Sequence, residues 1–269
     1  MNRFSKFAAS ALALSLVPAM LMGCGKKETA ASSDLDYIKQ KGTLVVGITD
    51  FAPMDYQDAD GSWIGFDADL AKAFAESLGV EVQFQTIEWD NKVMELDGKT
   101  IDVVWNGMTL TDEVTSSMAC SNAYCNNAQV VILPADKAAD YDTVDSLSGL
   151  RFAVESGSAG MAQAEEKGLT YTDVVDQATA LLEVKSGTAD AAIIDSLMAG
   201  AMVGEGTNYA DLAIGPVLNA ETGEQYGVGF RKGSDLAAAL NEFLDGKYAD
   251  GSIRTLAETY GVQDALVAE

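Results

Sequence analysis

The chain contains no histidine. That absence excludes Ser-His-Asp and Cys-His nucleophilic sites and removes the commonest protein ligand for transition metals. Basic residues are scarce as well: 17 Lys and Arg stand against 41 Asp and Glu, a formal net charge of −24. Such a surface repels a phosphate backbone, which excludes nucleic acid as a partner, and reads as a solvated acidic surface that favours solubility. An apolar run long enough to span a bilayer is also missing. The stretch ALALSLVPAMLM (11–22) is led by Arg3 and Lys6 and followed at once by Gly23 and Cys24, the pattern of an export signal and not of a membrane span.

Cysteine is rare, at three residues. The first lies in Leu21-Met22-Gly23-Cys24, which resembles the bacterial lipobox, where cleavage precedes a cysteine that then carries a diacylglycerol. The resemblance implies a lipoprotein signal peptide over 1–23, lipidation at Cys24, and a polar tether over 24–37 that holds the protein at a membrane without a spanning helix. Removing Arg3 and Lys6 leaves 15 basic against 41 acidic residues, a net charge of −26. Cys120 and Cys125 then remain as a pair in an oxidising setting. A local disulfide and two free thiols both stay open, because spacing does not fix the Cα separation.

A chain of 269 residues accommodates one large domain or two smaller ones. Runs rich in valine and isoleucine alternate with helical patterns, the signature of βαβ units. TLVVGI (43–48) reads as a strand. In GFDADLAKAFAESLG, Phe66, Leu70, Phe74 and Leu78 recur on one helical face, acidic residues occupy the first turn, and Gly79 ends it. VEVQFQ (80–85) alternates at period two, while IDVVWN (101–106) is nearly continuous and predicts a strand covered on both faces. After QVVIL (129–133) and a charged break, a second set follows: LRFAVES (150–156), a helix near 158–167, another holding Leu181, Leu182 and Val184, and DAAIID (190–195). YGVGF (226–230) and two amphipathic helices, one with Leu236, Leu240 and Leu244, the other with Ile253, Leu256 and Tyr260, complete two α/β lobes. DADGS suggests a calcium loop, but the first ligand position of an EF-hand falls on Tyr56, so it is read as a turn between strands. No metal or other cofactor is expected.

Seven segments taken together resemble the polar amino-acid type of extracellular solute-binding protein (family 3), the substrate-binding lipoproteins of ABC importers. They are GTLVVGITDFAPMDY (42–56), DGSWIGFDADLAKAFAESLG (60–79), IDVVWNGMTLTDE (101–113), SNAY (121–124), FAVESGSAG (152–160), DAAIID (190–195) and YGVGF (226–230), in the family's order over almost the whole mature chain. The resemblance implies a type II periplasmic-binding-protein-like α/β fold with two hinge crossovers, near 127–134 and 216–226. Lobe 1 would comprise 38–127 plus 222–269 and lobe 2 would comprise 128–221, with a ligand enclosed between them. It implies a non-enzymatic receptor for an amino acid or related small polar solute, an ABC permease as partner, and a location outside the cell membrane, held by the lipid anchor.

Residue by residue, the resemblance places Phe51 as an aromatic platform beneath the ligand, and Trp89 as a second wall or a core residue. Asn106, the Gly107 backbone and Thr109 match a strand-end turn whose amides and hydroxyls bind the ligand. Gly157, Ser158 and Ala159 match a loop opening a helix, where free N–H groups suit an anionic group. Asp195 matches the carboxylate that pairs with a ligand ammonium.

The sequence departs from this pattern at one position. Most members follow the strand-end turn with an arginine that grips the ligand's α-carboxylate, and the matched position here is Val114. No lysine or arginine occurs between Lys99 and Lys137, so no neighbour in the turn replaces it. Two readings stay open: an amino acid whose carboxylate rests on Thr109 and the amides near Ser158 and Ala159, or an amine or other carboxylate-free ligand drawn in by Asp195, Phe51 and Glu155. SNAY departs too, with Cys120 and Ala123 where the family often has an aromatic and a proline. Cyclohexadienyl dehydratases resemble the same family and need an acid, not a histidine. Their anionic dicarboxylate substrate fits poorly with a strand turn devoid of basic residues.

Overall fold

The computed structural model describes residues 33–267; the leader, Cys24 and most of the expected tether lie outside them. Helix α1 (Asp34–Lys41) begins inside the stretch read as tether, for local reasons. Ser33 caps it by accepting the Asp36 N–H, acidic residues sit in its first turn and lysines in its last, and Gly42 ends it in the left-handed region. Arg231 donates to Asp34 at 3.0 Å, which ties the helix to the C-terminal part of the chain.

Along the chain follow β1 (Thr43–Ile48), a small hairpin of β2 (Tyr56–Gln57) and β3 (Trp63–Ile64), α2 (Phe66–Leu78), β4 (Glu81–Thr86), a 3₁₀ turn at Trp89–Asn91 and α3 (Lys92–Asp97). Next are β5 (Val103–Thr109), α4 (Asp112–Ser117), β6 (Ala119–Cys120), β7 (Cys125–Asn127), β8 (Gln129–Pro134), β9 (Arg151–Glu155), α5 (Ala159–Glu166) and β10 (Thr170–Val174). The remainder is α6 (Gln177–Ser186), β11 (Ala191–Asp195), α7 (Ser196–Met202), β12 (Leu212–Val217), β13 (Glu224–Phe230), α8 (Leu236–Ala249) and α9 (Ser252–Tyr260). DADGS is the turn of the β2–β3 hairpin, with Asp58 accepting the N–H groups of Asp60 and Ser62.

Two larger sheets result. One has the order β4-β1-β5-β13-β6 with β7 also on β13; the other has the order β10-β9-β11-β8-β12. The chain crosses from the first to the second between β7 and β8 and returns between β12 and β13. Strands β1, β4 and β5 run parallel, as do β9, β10 and β11, whereas the strands next to the crossovers pair antiparallel. The continuous apolar run of β5 is explained by its position: Val103 and Trp105 pack with Phe66, Leu70 and Phe74 of α2, while Val104 and Met108 pack on the opposite face with Leu96, Ile101 and Met118.

Cys120 and Cys125 are both free thiols. Cys120 lies opposite Gly229 and Cys125 opposite Tyr226 on β13, an odd separation along that strand. The side chains therefore point to opposite faces, Cys125 into the cluster with Tyr124 and Tyr226, Cys120 toward Met108 and Met118. No bridge forms from that placement, and burial raises the pKa of both thiols.

Candidate functional site

The carboxyl ends of the parallel strands in both sheets meet at one cavity of about 390 Å³, where open α/β sheets place their ligands. Phe51 follows β1, Asn106, Gly107 and Thr109 end β5, Glu155 ends β9, and Asp195 ends β11. Each residue expected at the ligand (Phe51, Trp89, Asn106, Gly107, Thr109, Ser158, Ala159 and Asp195) lines this cavity, and so does Val114. The structure brings them together but gives several of them tasks other than those expected.

Asn106 has no spare hydrogen-bonding group on its side chain. Its Oδ1 accepts the Thr49 N–H at 3.0 Å and the Thr49 hydroxyl at 2.8 Å, and its Nδ2 donates to the Thr49 carbonyl at 3.1 Å and to Asp55 at 2.8 Å. Gly107 is similar, since its N–H donates to Asp67 at 2.7 Å. Asp67, also bonded by the Tyr124 hydroxyl at 2.8 Å, is fully buried, and burial raises its pKa to about 7. The expected ligand contacts of the Asn106 side chain and the Gly107 amide are thus corrected: both are consumed by buried partners. Glycine at 107 serves Phe51 instead. With φ at +54°, an added Cβ would lie 2.2 Å from the Phe51 ring, so only glycine lets that ring pack against the strand end. Phe51 is held from behind by an edge contact with Tyr226, centroids 6.3 Å apart. Thr109 donates to Glu224 at 3.3 Å.

The second-sheet side differs. Asp195, 5 % exposed, receives N–H donors from Asn127, Gln129 and Gln177 and gives its own N–H to Gln177 at 2.8 Å. Glu224 shares the Gln129 and Asn127 amides. Burial, then the charge of Glu224, raises the Asp195 pKa to about 7. Glu155, 3 % exposed, has a buried Oε1 without a hydrogen-bond partner, and burial, with the charges of Asp195 and Asp176 adding and the nearby Gln177 and Thr49 side chains acting in the opposite sense, raises its pKa to about 8. Neutral amides solvate these carboxylates without neutralising them, and an unpaired buried charge is costly. Ser158 caps α5 by accepting the Met161 N–H at 3.0 Å, which leaves the first-turn amides at Ala159 without an intrahelical acceptor.

A cation does reach the cavity, from an element remote from the Val114 turn. Lys92, at the start of α3, donates to the Trp89 carbonyl at 3.2 Å and to the Gly157 carbonyl at 3.0 Å, with Nζ 4.9 Å from the centroid of the Trp89 ring. Burial lowers its pKa, and the charges of Glu155, Glu113 and Asp90 act in the opposite sense. Trp89, 8 % exposed, is both wall and core. Gly157 lies so close to Asp90 that an added Cβ would fall 2.8 Å from its Cα, so the Trp89–Lys92 segment and the Gly157 loop close one side of the cavity. Val114, 7 % exposed, presents an apolar side chain packed with Met108 and Met118. Sequence reading missed Lys92 and Gln177; their signal, a lysine beside Trp89 and a glutamine after the Asp176 helix cap, is visible only once the strand ends have been brought together.

Two sheets joined by two crossovers around a strand-end cavity define a two-lobe solute-binding fold. The chain belongs to the bacterial extracellular solute-binding proteins, family 3, whose pattern matches residues 44–263. It is 28% identical to the L-cystine-binding protein TcyJ of Escherichia coli over 90% of this chain and 91% of that protein. The crystal structure of a mutant of the T. maritima protein ArgBP superimposes with a TM-score of 0.78 at 34% identity, covering 84% of this chain and 98% of that one. A more partial likeness, 26% identity over 63% of this chain and 65% of the other, links it to the cyclohexadienyl dehydratase of Pseudomonas aeruginosa. The family is thus chiefly one of binding proteins that has an enzyme among its relatives. Among the described residues, no helix is long and apolar enough to cross a membrane.

Proposed function

We propose that this protein is the substrate-binding component of an ABC importer, a non-enzymatic receptor that encloses an amine-bearing solute, an amino acid or a close relative, between two lobes. Lobe 1 is 38–127 plus 222–269, extended at its start by α1, and lobe 2 is 128–221. Cys24 carries the lipid anchor after removal of 1–23, which keeps the receptor at the outer face of the membrane beside its permease. The observation that most supports a receptor for amines is the pair of buried carboxyls, Glu155 and Asp195, that line the cavity with no cation bonded to either among the described residues. Phe51 and Trp89 supply apolar and π surface for the rest of the solute. Relatives that bind L-cystine and arginine favour the same class. Closure then follows from tighter ligand binding in the closed than in the open state.

Thermal shift across a broad metabolite panel tests this reading, since a ligand of the folded state raises the melting temperature by mass action. One or more amine-bearing solutes are expected to do so; a melting temperature that no compound moves would refute the receptor. The relative with dehydratase activity motivates a second measurement. Incubation with prephenate or arogenate should leave both unchanged, and turnover of either would replace the receptor reading with an enzymatic one.

A further inference from the structure

We infer that the ligand presents a cationic nitrogen to Glu155 and Asp195 and carries no free carboxylate: an amine, or an amino acid whose carboxyl is blocked as an amide or ester. The inference rests on the receptor reading and narrows its ligand class.

The first support is the state of the buried acids. Glu155 and Asp195 both line the cavity, and Glu224 shares the amides of Asp195. The donors bonded to Asp195 and Glu224 are neutral: Asn127, Gln129, Gln177 and Thr109. No cation is bonded to any of the three among the described residues; Lys92 feels the charge of Glu155 without bonding it, and burial keeps all three pKa values raised. A ligand that supplies the missing positive charge gains charge-assisted bonds in a site of low dielectric.

The second support is what the cavity withholds from an anion. Asn106 and Gly107 spend their donors on Thr49, Asp55 and Asp67, and Val114 offers none. Lys92, the one Lys or Arg lining the cavity among the described residues, is held by two backbone carbonyls and the Trp89 ring and already faces Glu155, Glu113 and Asp90. A ligand carboxylate would need to draw that ammonium from its carbonyls and would itself be repelled by the cavity's acids. The amides at the start of α5 are the donors that remain, and they take a carbonyl or hydroxyl oxygen as well as an anionic one, so they do not by themselves call for a carboxylate.

Matched compounds differing only at the carboxyl test the inference in calorimetric titrations at pH 7: arginine, argininamide and agmatine, and likewise lysine, lysinamide and cadaverine. In at least one set the amide or the decarboxylated amine is expected to bind tenfold or more tightly than the free acid. In Lys92→Met that ratio should persist within about threefold, and in Glu155→Gln the binding of the amine should weaken tenfold or more with the unliganded melting temperature unchanged or higher. Equal or tighter binding of the free acids, or their selective loss in Lys92→Met, would overturn the inference and leave the receptor standing. Binding confined to neutral or anionic solutes would do the same, whereas no binding by any compound would overturn both.

Discussion

The two walls of the cleft are built on opposite principles. On the first-sheet side the polar groups at the end of β5 are saturated, Asn106 by Thr49 and Asp55, Gly107 by Asp67, with Phe51 packed against the glycine, although the Asp55 Oδ1 buried beneath them has no partner. On the second-sheet side, the carboxyls of Glu155 and Asp195 line the cavity with no cation bonded to them among the described residues, and α5 begins at the cavity. A wall whose valences are closed is a fixed surface, useful for shape; a wall whose valences are open is where a ligand gains energy. The two should therefore respond differently to mutation, the first chiefly in stability and the second chiefly in binding.

The largest loss of stability is expected at the closed wall. Asn106→Ala leaves Thr49 and Asp55 with buried unpaired groups, which should cost roughly 2–3 kcal/mol or more in denaturant unfolding. A variant of native stability would show that this wall is not closed. Gly107→Ala comes next: left-handed backbone without glycine costs about 1–2 kcal/mol, and the Cβ also displaces the Phe51 ring, so both stability and affinity should fall. If the ring were not seated on the strand end, affinity would be unaffected.

A smaller effect, with a defined sign, follows from the open wall. The pKa values of Glu155 and Asp195 are raised in the folded state, from 4.5 to about 8 and from 3.8 to about 7, so the folded protein holds protons that the unfolded chain releases. Their contribution to stability is fully present below about pH 4 and is lost as pH rises toward 7 and 8. The unliganded protein should thus melt at a lower temperature at pH 8 than at pH 5, with a shallower decline in Glu155→Gln. A steeper or unchanged decline in that variant would remove Glu155 from the explanation. The smallest effect expected is none: with Cys120 and Cys125 on opposite faces of their sheet, adding reductant should leave the melting temperature unmoved, and a fall on reduction would reveal a bridge.

The same contrast explains how much was legible in the sequence. Strand β5 announces itself by an apolar run, and the family resemblance, in keeping with the strand-end rule, locates Phe51, Asn106, Gly107, Thr109 and Asp195 without any knowledge of their partners. What the pattern cannot supply is which valences remain open. Asn106 reads as a ligand donor until Thr49 and Asp55 are folded against it, and Asp67 reads as a helix-dipole residue until the Gly107 N–H is seen to end on it. Lys92 lies on a different element from the Val114 turn, and only tertiary structure carries it to the Gly157 loop. The cysteine pair stays open in the sequence for a related reason: facing in β6 and β7 is set by their registers against β13, not by the spacing between the two residues.

The contrast between a closed and an open wall is tested most directly by calorimetric titration of the wild type, Glu155→Gln and Asn106→Ala with the tightest-binding amine, in buffers of different ionisation enthalpy at pH 7. In the wild type, binding should release protons as Glu155 and Asp195 ionise against the incoming cation. Glu155→Gln should bind tenfold or more weakly with that release diminished, while Asn106→Ala should keep the proton release despite its lower stability. Unchanged affinity and proton release in Glu155→Gln would contradict the account.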